Sequence, residues 1–302
     1  MNIWRVQLKP SPAKGLGPKD VLRFCMEQGI IGVGWAEVEC AIDDYYTLRD
    51  AVHQAGYGTN AIKAINAIRQ MQSGDLVWTR LGGDASEYYL CKVGKTLWKD
   101  RVVTPEHVKH DIANFVFANW LHIGKEDAVP GKVIASFRAS GTAQRVYAVE
   151  EVSKYIWDSN CQNESERYGA KKPSEDSFWN MISSEDLECL ILLYLQSKGY
   201  YIYSSTLKRD TPKYEAILIA SDGSHRAFPQ IKQNTRLVPG EYIEGLQKSD
   251  RVYLFSSSES YGKPHPQVTC ITKEEVNRFI SSNYGILPST ITRWLKMTST
   301  IR

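Results

Sequence analysis

DLECLILLYLQSKGYYIYSSTLKRDTPKYEAILIASDGSHRAFPQIK, residues Asp186–Lys232, decides how the second half of the chain folds. Its first part, Glu185–Ser197, carries nearly continuous apolar residues (Leu187, Leu190 to Leu193, Leu195), which predicts a buried helix capped by Ser184 and stopped by Gly199. A strand over Tyr200–Ser204 follows. Tyr214–Ala220 (YEAILIA) and His225–Gln233 (HRAFPQIKQ) then flank Asp222–Gly223, a strong hairpin signal. Alternate residues of a strand share a face, so Glu215 points with Ile217 and Ile219, and Gln230 points with Lys232. Closing the hairpin at Asp222–Gly223 sets Glu215 opposite Gln230, with Lys232 one step beyond.

A charged residue on a strand is most often simply exposed, and a glutamate such as Glu188 often marks the exposed stripe of its helix. Inside a helix apolar almost all round, however, a carboxylate is costly unless it is paired or binds a cation. The combination carries more weight than any member. Phosphodiester hydrolysis needs a divalent cation to polarise the phosphate and activate water, and a positive charge to stabilise the transition state. Carboxylate and amide oxygens are hard ligands suited to Mg2+.

In that order and spacing the run resembles the PD-(D/E)XK nuclease superfamily, in the QxK variant of Mrr-like restriction endonucleases. By resemblance, Glu188 matches the acid of the first helix and Glu215 the metal-binding acid of the second strand. Gln230 and Lys232 match the QxK. The resemblance implies Glu188, Glu215 and Gln230 as metal ligands, Lys232 as the stabiliser of the pentavalent phosphate, and a mixed sheet flanked by helices. Two departures stand out. Glu215 occupies a place where aspartate is commoner, and Pro229 lies inside the motif strand, where proline implies an edge or a bulge. Asp210 is a further candidate ligand, although Asp-Thr-Pro also reads as a turn.

Working outward, Glu241–Leu246 reads as helical, Arg251–Ser256 as a strand, and Lys273–Ser282 and Thr290–Lys296 as helices, giving a mixed α/β domain over 177–302. Upstream, Asp158–Asp176 is polar with almost no apolar residues, the composition of a linker, and leaves residues 1–157 as a first domain. There Met1–Leu8, Ile30–Trp35, Asp75–Arg80, Tyr88–Val93, Asn114–Ile123 and Val133–Phe137 read as strands, with a Gly82–Gly83 turn. Gly17–Gln28 and Ala61–Met71 read as helices. Many short strands with few helices predict a small, partly closed β-barrel.

IIGVGW (30–35), GDLVWTR (74–80), YYLCKVG (88–94), NFVFANWLHIG (114–124) and DAVPGKVIASF (127–137) resemble an EVE-type domain of the PUA superfamily, which is similar to the YTH readers. The resemblance implies capture of a modified base in an aromatic pocket. Any single tryptophan more often fills a core. As pocket walls, Trp35 and Trp78 lead and Trp120 follows, with Asn119 and Asp75 as polar contacts to a base edge. Lys92, Lys95, Lys99 and Arg101 are candidate phosphate contacts, although such a run is more often a solvated face.

The 302 residues are 42% hydrophobic and 24% charged, sufficient for packed cores, and no apolar run is long enough for a membrane span. The N-terminus lacks the apolar core of a signal peptide, so a cytoplasmic protein is expected. Six scattered cysteines without CxxC indicate neither zinc nor a disulfide framework, and most read as small buried apolar residues. A net charge of +3 permits nucleic-acid binding in local grooves rather than over a positive shell. Together the two halves resemble a modification-dependent (type IV) restriction endonuclease. Such an enzyme flips a modified base, with 5-methylcytosine or a derivative the first candidate, and cuts nearby with Mg2+ as a homodimer. The alternative on the same folds is a non-cleaving, regulatory binder of modified DNA or RNA.

Overall fold

A computed structural model describes residues 1–38, 44–82, 84, 86–96, 98–207 and 213–298. Asp210 and Gly83, named above, and Cys40, one of the six cysteines, lie outside the described residues. The chain divides into two compact units, Met1–Pro173 and Ser174–Arg302.

The first unit runs β1 (Ile3–Leu8), α1 (Pro18–Gln28), β2 (Ile30–Val33), α2 (Tyr45–Gln54), α3 (Thr59–Gln70), β3 (Leu76–Leu81), β4 (Tyr88–Val93), α4 (Pro105–Lys109), β5 (Asn114–Gly124), α5 (Gly131–Phe137), β6 (Ala143–Arg145) and α6 (Glu150–Asn160). The strands form one curled, half-barrel sheet in the order β2-β5-β4-β3-β1-β6, a shape consistent with a PUA-like fold. Both faces of β1 are covered, as its unbroken burial requires. Trp4, Val6 and Leu8 join the apolar faces of α1, α2 and α3 in one core. On the opposite face Trp78 donates to Ser153 of α6 (3.0 Å), and Tyr88 meets Phe137 of α5 edge-on.

Val133–Phe137, expected as a strand, is the buried part of α5. Pro130 starts that helix, and Val133, Ile134 and Phe137 fall on one helical face. The strand that completes the sheet is instead β6, too short to stand out by periodicity. The polar stretch that begins at Asp158 is not free chain over its first part. Asp158 itself ends α6 and accepts from the backbone of Tyr168 and Ala170, both at 2.7 Å. The Glu166 carbonyl accepts from Trp157 (3.1 Å), and the Tyr168 hydroxyl donates to the Gly74 carbonyl (2.7 Å). Its lack of apolar residues reflects a segment fastened by hydrogen bonds rather than by burial.

The second unit comprises α7 (Phe178–Met181), α8 (Ser184–Ser197), β7 (Tyr200–Ile202), β8 (Leu218–Ala220), β9 (Arg226–Lys232), β10 (Arg251–Ser256), β11 (Val268–Ile271), α9 (Lys273–Ser282) and α10 (Ser289–Met297). Its sheet has the order β11-β10-β9-β8-β7 and is mixed: β9, β10 and β11 run parallel, and β7, β8 and β9 alternate. Ser183, one residue before the expected cap, starts α8 by accepting from the Asp186 N–H at 3.0 Å. Gly199 stops it in the left-handed region at φ +89°. Glu241–Leu246 forms no α-helix; a 3-10 turn over Pro239–Tyr242 stands there, opened by proline and too short of apolar periodicity to continue. Among the described residues no helix is long and apolar enough to cross a membrane.

Candidate active site and the cleft at Trp35

The hairpin register is as expected: Leu218 faces Ala227 and Ile219 faces Arg226 across a turn in which Gly223 takes φ +73°. Regular pairing stops there, so Glu215 lies ahead of β8 rather than in the expected strand from Tyr214. Its N–H donates to the Pro229 carbonyl at 2.9 Å. Pro229 is not at a sheet edge. β9 is interior, and Pro229 faces Tyr253 of β10. A strand residue points its N–H and C=O to the same side. The donor missing from Pro229 therefore faces the Glu215 segment and leaves the parallel ladder to β10 intact. This explains both how proline is tolerated and why the antiparallel ladder fails at this point.

Three expected residues meet here. Lys232 Nζ lies 3.2 Å from a Glu215 carboxylate oxygen. The Gln230 side chain is buried, and one orientation of its amide satisfies both ends: it donates to the Lys213 carbonyl (2.7 Å) and accepts from Lys232 Nζ (2.8 Å). One ammonium thus bridges a carboxylate and an amide oxygen. Glu188 sits half-buried on α8, which packs against β7 and β9, the strand of Gln230 and Lys232.

Among the described residues, no three His, Cys, Asp or Glu side chains gather as a metal site. The oxygens that come together here are those of one carboxylate, Glu215, and one amide, Gln230. The oxygens of Glu215 and Gln230 both face one cation, the Lys232 ammonium, and as hard donors they suit Mg2+ in kind.

In the first unit the expected base contacts separate. Trp78 is fully buried, with its indole N–H on Ser153, and presents no face to a ligand. Asp75 is also buried: it accepts from the N–H groups of Asn2 (2.7 Å) and Gln72 (3.1 Å) and from the Trp4 indole (2.8 Å). It ties down the N-terminus. Trp120 is half-buried and donates to the Ile30 carbonyl (3.1 Å). Asn119 is exposed, with its amide on both oxygens of Glu166 at 2.7 Å. Lys92 donates to the Glu166 carbonyl and lies 4.4 Å from the Tyr168 ring centre; Arg101 is bonded to Ala113, Trp98 and Asn114. Lys95 and Lys99 remain exposed.

Of the expected walls, Trp35 lines a cleft. This cleft, of about 120 Å³, lies between the ends of β1 and β2, and Gln7, Gly34, Asp111 and Thr142 also line it. Trp35 (φ +63°) and Asp111 (φ +54°) are both left-handed, and strain of this kind gathers where structure serves a ligand. A Cβ on Gly34 would stand 2.1 Å from Asp111 Oδ1, so only glycine permits their approach. Asn114 holds the Gly34 and Trp35 carbonyls at 2.6 and 3.1 Å. Burial raises the Asp111 carboxyl above its ordinary range, against the backbone N–H groups of Ser11 and Trp35. Gln7 Oε1 is buried with no hydrogen-bond partner among the described residues. Sequence reasoning missed Gln7 and Asp111. The available signal for Gln7 was a polar residue inside an otherwise buried strand; Asp111 becomes a neighbour of Trp35 only through the fold.

No family model matches the chain, and no curated protein matches it. Among solved structures, the MspJI restriction endonuclease in complex with a 27-mer oligonucleotide is similar at 12% identity, with 80% of this chain and 70% of that one covered and a TM-score of 0.24. An overlap of that size is a distant resemblance, and no residue role is drawn from it.

Proposed function

We propose that the protein is a DNA endonuclease directed by a modified base. The observation that carries this reading is the meeting of Glu215, Gln230 and Lys232 on one side of a hairpin, two oxygens around one cation. Glu215 and Gln230, with Glu188 from α8, would hold Mg2+. When bound, that ion supplies charge neutralisation and an activated water. Lys232 then leaves its ion pair to face the phosphate and stabilises the charge that builds on it. The EVE- and PUA-like resemblance and the cleft at Trp35 support base capture in the first unit. Trp35 offers a ring face, and Gln7 Oε1 and Asp111 offer polar contacts to a base edge. Cutting both strands calls for two active sites, hence a homodimer.

The test is cleavage of 5-methylcytosine-containing and unmodified plasmid in Mg2+ by the intact protein and by Lys232→Ala. The reading expects cleavage of modified DNA by the parent alone. Equal cleavage by both proteins would remove the active-site assignment. A second reading, a non-cleaving binder of modified DNA or RNA, draws on the same ion pair, because it leaves Lys232 engaged internally. Binding of modified DNA without cleavage in any divalent metal would establish it.

A further inference from the structure

The first unit carries a second, larger concavity of about 720 Å³, bounded by the outer side of α3, the edge strand β6 and the loop 139–142. Lys63, Asn66 and Gln70 of α3 recur at helical spacing on the side away from the buried Ile62, Ile65 and Ile68. Opposite them stands Arg145 of β6, whose guanidinium carbon lies 5.4 Å from the Trp4 ring centre and 5.8 Å from that of Tyr147. Tyr147 and Tyr45 also line the concavity and are 63% and 43% exposed. No carboxylate lines it among the described residues. From behind, the buried Arg5 donates to the Gly141 carbonyl and props the loop. Thr142 of that loop lines both this groove and the Trp35 cleft, so the two adjoin.

Cations, exposed aromatic rings and amides without acids form a surface complementary to a nucleic-acid strand: positive charge meets phosphate and ring faces meet bases. We propose that this groove holds the DNA strand flanking the captured base, with Lys63 and Arg145 on its phosphates and Tyr147 and Tyr45 against its sugars or bases. The proposal rests on the base-reading function above and adds what grips the strand. The division of labour is physical. Phosphate contacts position without reading sequence, so the groove supplies affinity and the cleft supplies discrimination.

The test measures affinity of the full-length protein for a duplex carrying one 5-methylcytosine and for its unmodified twin, from low to physiological salt. Lys63→Ala, Arg145→Ala and the double variant are compared with the parent and with Trp35→Ala. Loss of two phosphate contacts flattens the slope of log affinity against log salt by about 1.8. The double variant is therefore expected to lose about tenfold or more in affinity for both duplexes, with their ratio unchanged. Lys63 is exposed on a helix, so its single variant reports on the groove even if Arg145→Ala perturbs Trp4. A parental salt slope and affinity in both Lys63→Ala and the double variant would overturn the groove, whatever Trp35→Ala does. Equal binding of both duplexes by the parent and by Trp35→Ala, with affinity still lost in the groove variants, would overturn base reading while leaving the groove standing.

Discussion

Lys232 and Glu215 form an ion pair at 3.2 Å although neither residue belongs to the regular ladder of the other: Lys232 ends β9, and Glu215 precedes β8. The lysine side chain is 45% exposed and the glutamate 13%. The lysine end of the pair is open to solvent, which screens the attraction to about 1 kcal/mol. Lys232→Ala is therefore expected to unfold at nearly the parental temperature while cleavage falls by about 100-fold or more. A large drop in melting temperature alongside the lost activity would assign the pair to the fold instead of to chemistry.

On the proposed function, metal binding would compete with that ion pair. Glu215→Gln keeps the shape of the side chain and removes its charge, so calorimetric titration with Mg2+ is expected to show affinity lowered by about tenfold or more. Lys232→Ala, which frees both oxygens, is expected to bind Mg2+ at least as tightly as the parent. Equal affinity in parent and Glu215→Gln would take Glu215 out of the ligand set.

Gln230 is buried and donates to the Lys213 carbonyl at 2.7 Å. Gln230→Glu sets an ionised oxygen against that carbonyl and deprives it of its donor, at a cost of about 1–3 kcal/mol near neutral pH. A protonated glutamate can donate again, so the variant is expected to regain stability in acid. Melting curves at several pH values check this; a variant as stable as the parent near neutrality would refute the assigned amide orientation.

Asp75 is expected to matter for stability and not for base discrimination. Asp75→Ala leaves the Trp4 indole and the N–H groups of Asn2 and Gln72 without their acceptor, a loss on the order of 3 kcal/mol. The ratio of affinities for modified and unmodified duplex should stay at the parental value in whatever fraction remains folded. A changed ratio would restore Asp75 to the base contacts.

The raised carboxyl of Asp111 gives the fold a signed pH dependence. Its folded-state pKa lies above the unfolded value, chiefly through burial. Its contribution is thus full below about pH 3.9 and is lost as pH rises through the raised value. Asp111→Asn keeps an oxygen for the Ser11 N–H and cannot ionise. Relative to the parent it is expected to gain stability from acid to neutral pH. A difference in melting temperature that stays constant across that range would refute the assignment.

Much of the second unit was legible because its signals are local. Asp222–Gly223 set the hairpin register found at Leu218–Ala227, and continuous apolar residues marked α8. Period-2 reasoning placed Gln230 and Lys232 together, and both reach Glu215's neighbourhood. It could not foresee that Pro229 would break the ladder, because which side of an interior strand lacks a donor depends on the partners at each side. In the first unit, Val133–Phe137 is rich enough in β-branched residues to read as a strand. Pro130 and the burial of one helical face decided otherwise. The tryptophans were the least legible. Composition cannot separate Trp78, sealed in the core, from Trp35, half-buried at a left-handed corner. The corner is held by Asn114, which reaches the Gly34 and Trp35 carbonyls only once β2 pairs with β5.

The hairpin of β8 and β9 has a consequence for the order of events in folding. The hairpin pairs Leu218 with Ala227 across a short turn, whereas β9 meets its parallel neighbour β10 through more distant partners, Ala227 with Arg251 and Lys232 with Ser256. Short loops close at lower entropic cost, and non-local parallel pairing is slow. The oxygens and ammonium of the site are thus expected to meet while the sheet is still two-stranded, before the interior of the unit excludes water. Pulse-labelled hydrogen exchange during refolding would then protect the Leu218 and Ala220 amides, which face β9, ahead of those in β10. A nuclease centre assembled this way would be inherited as one short cassette of chain, separable from the sheet that later encloses it.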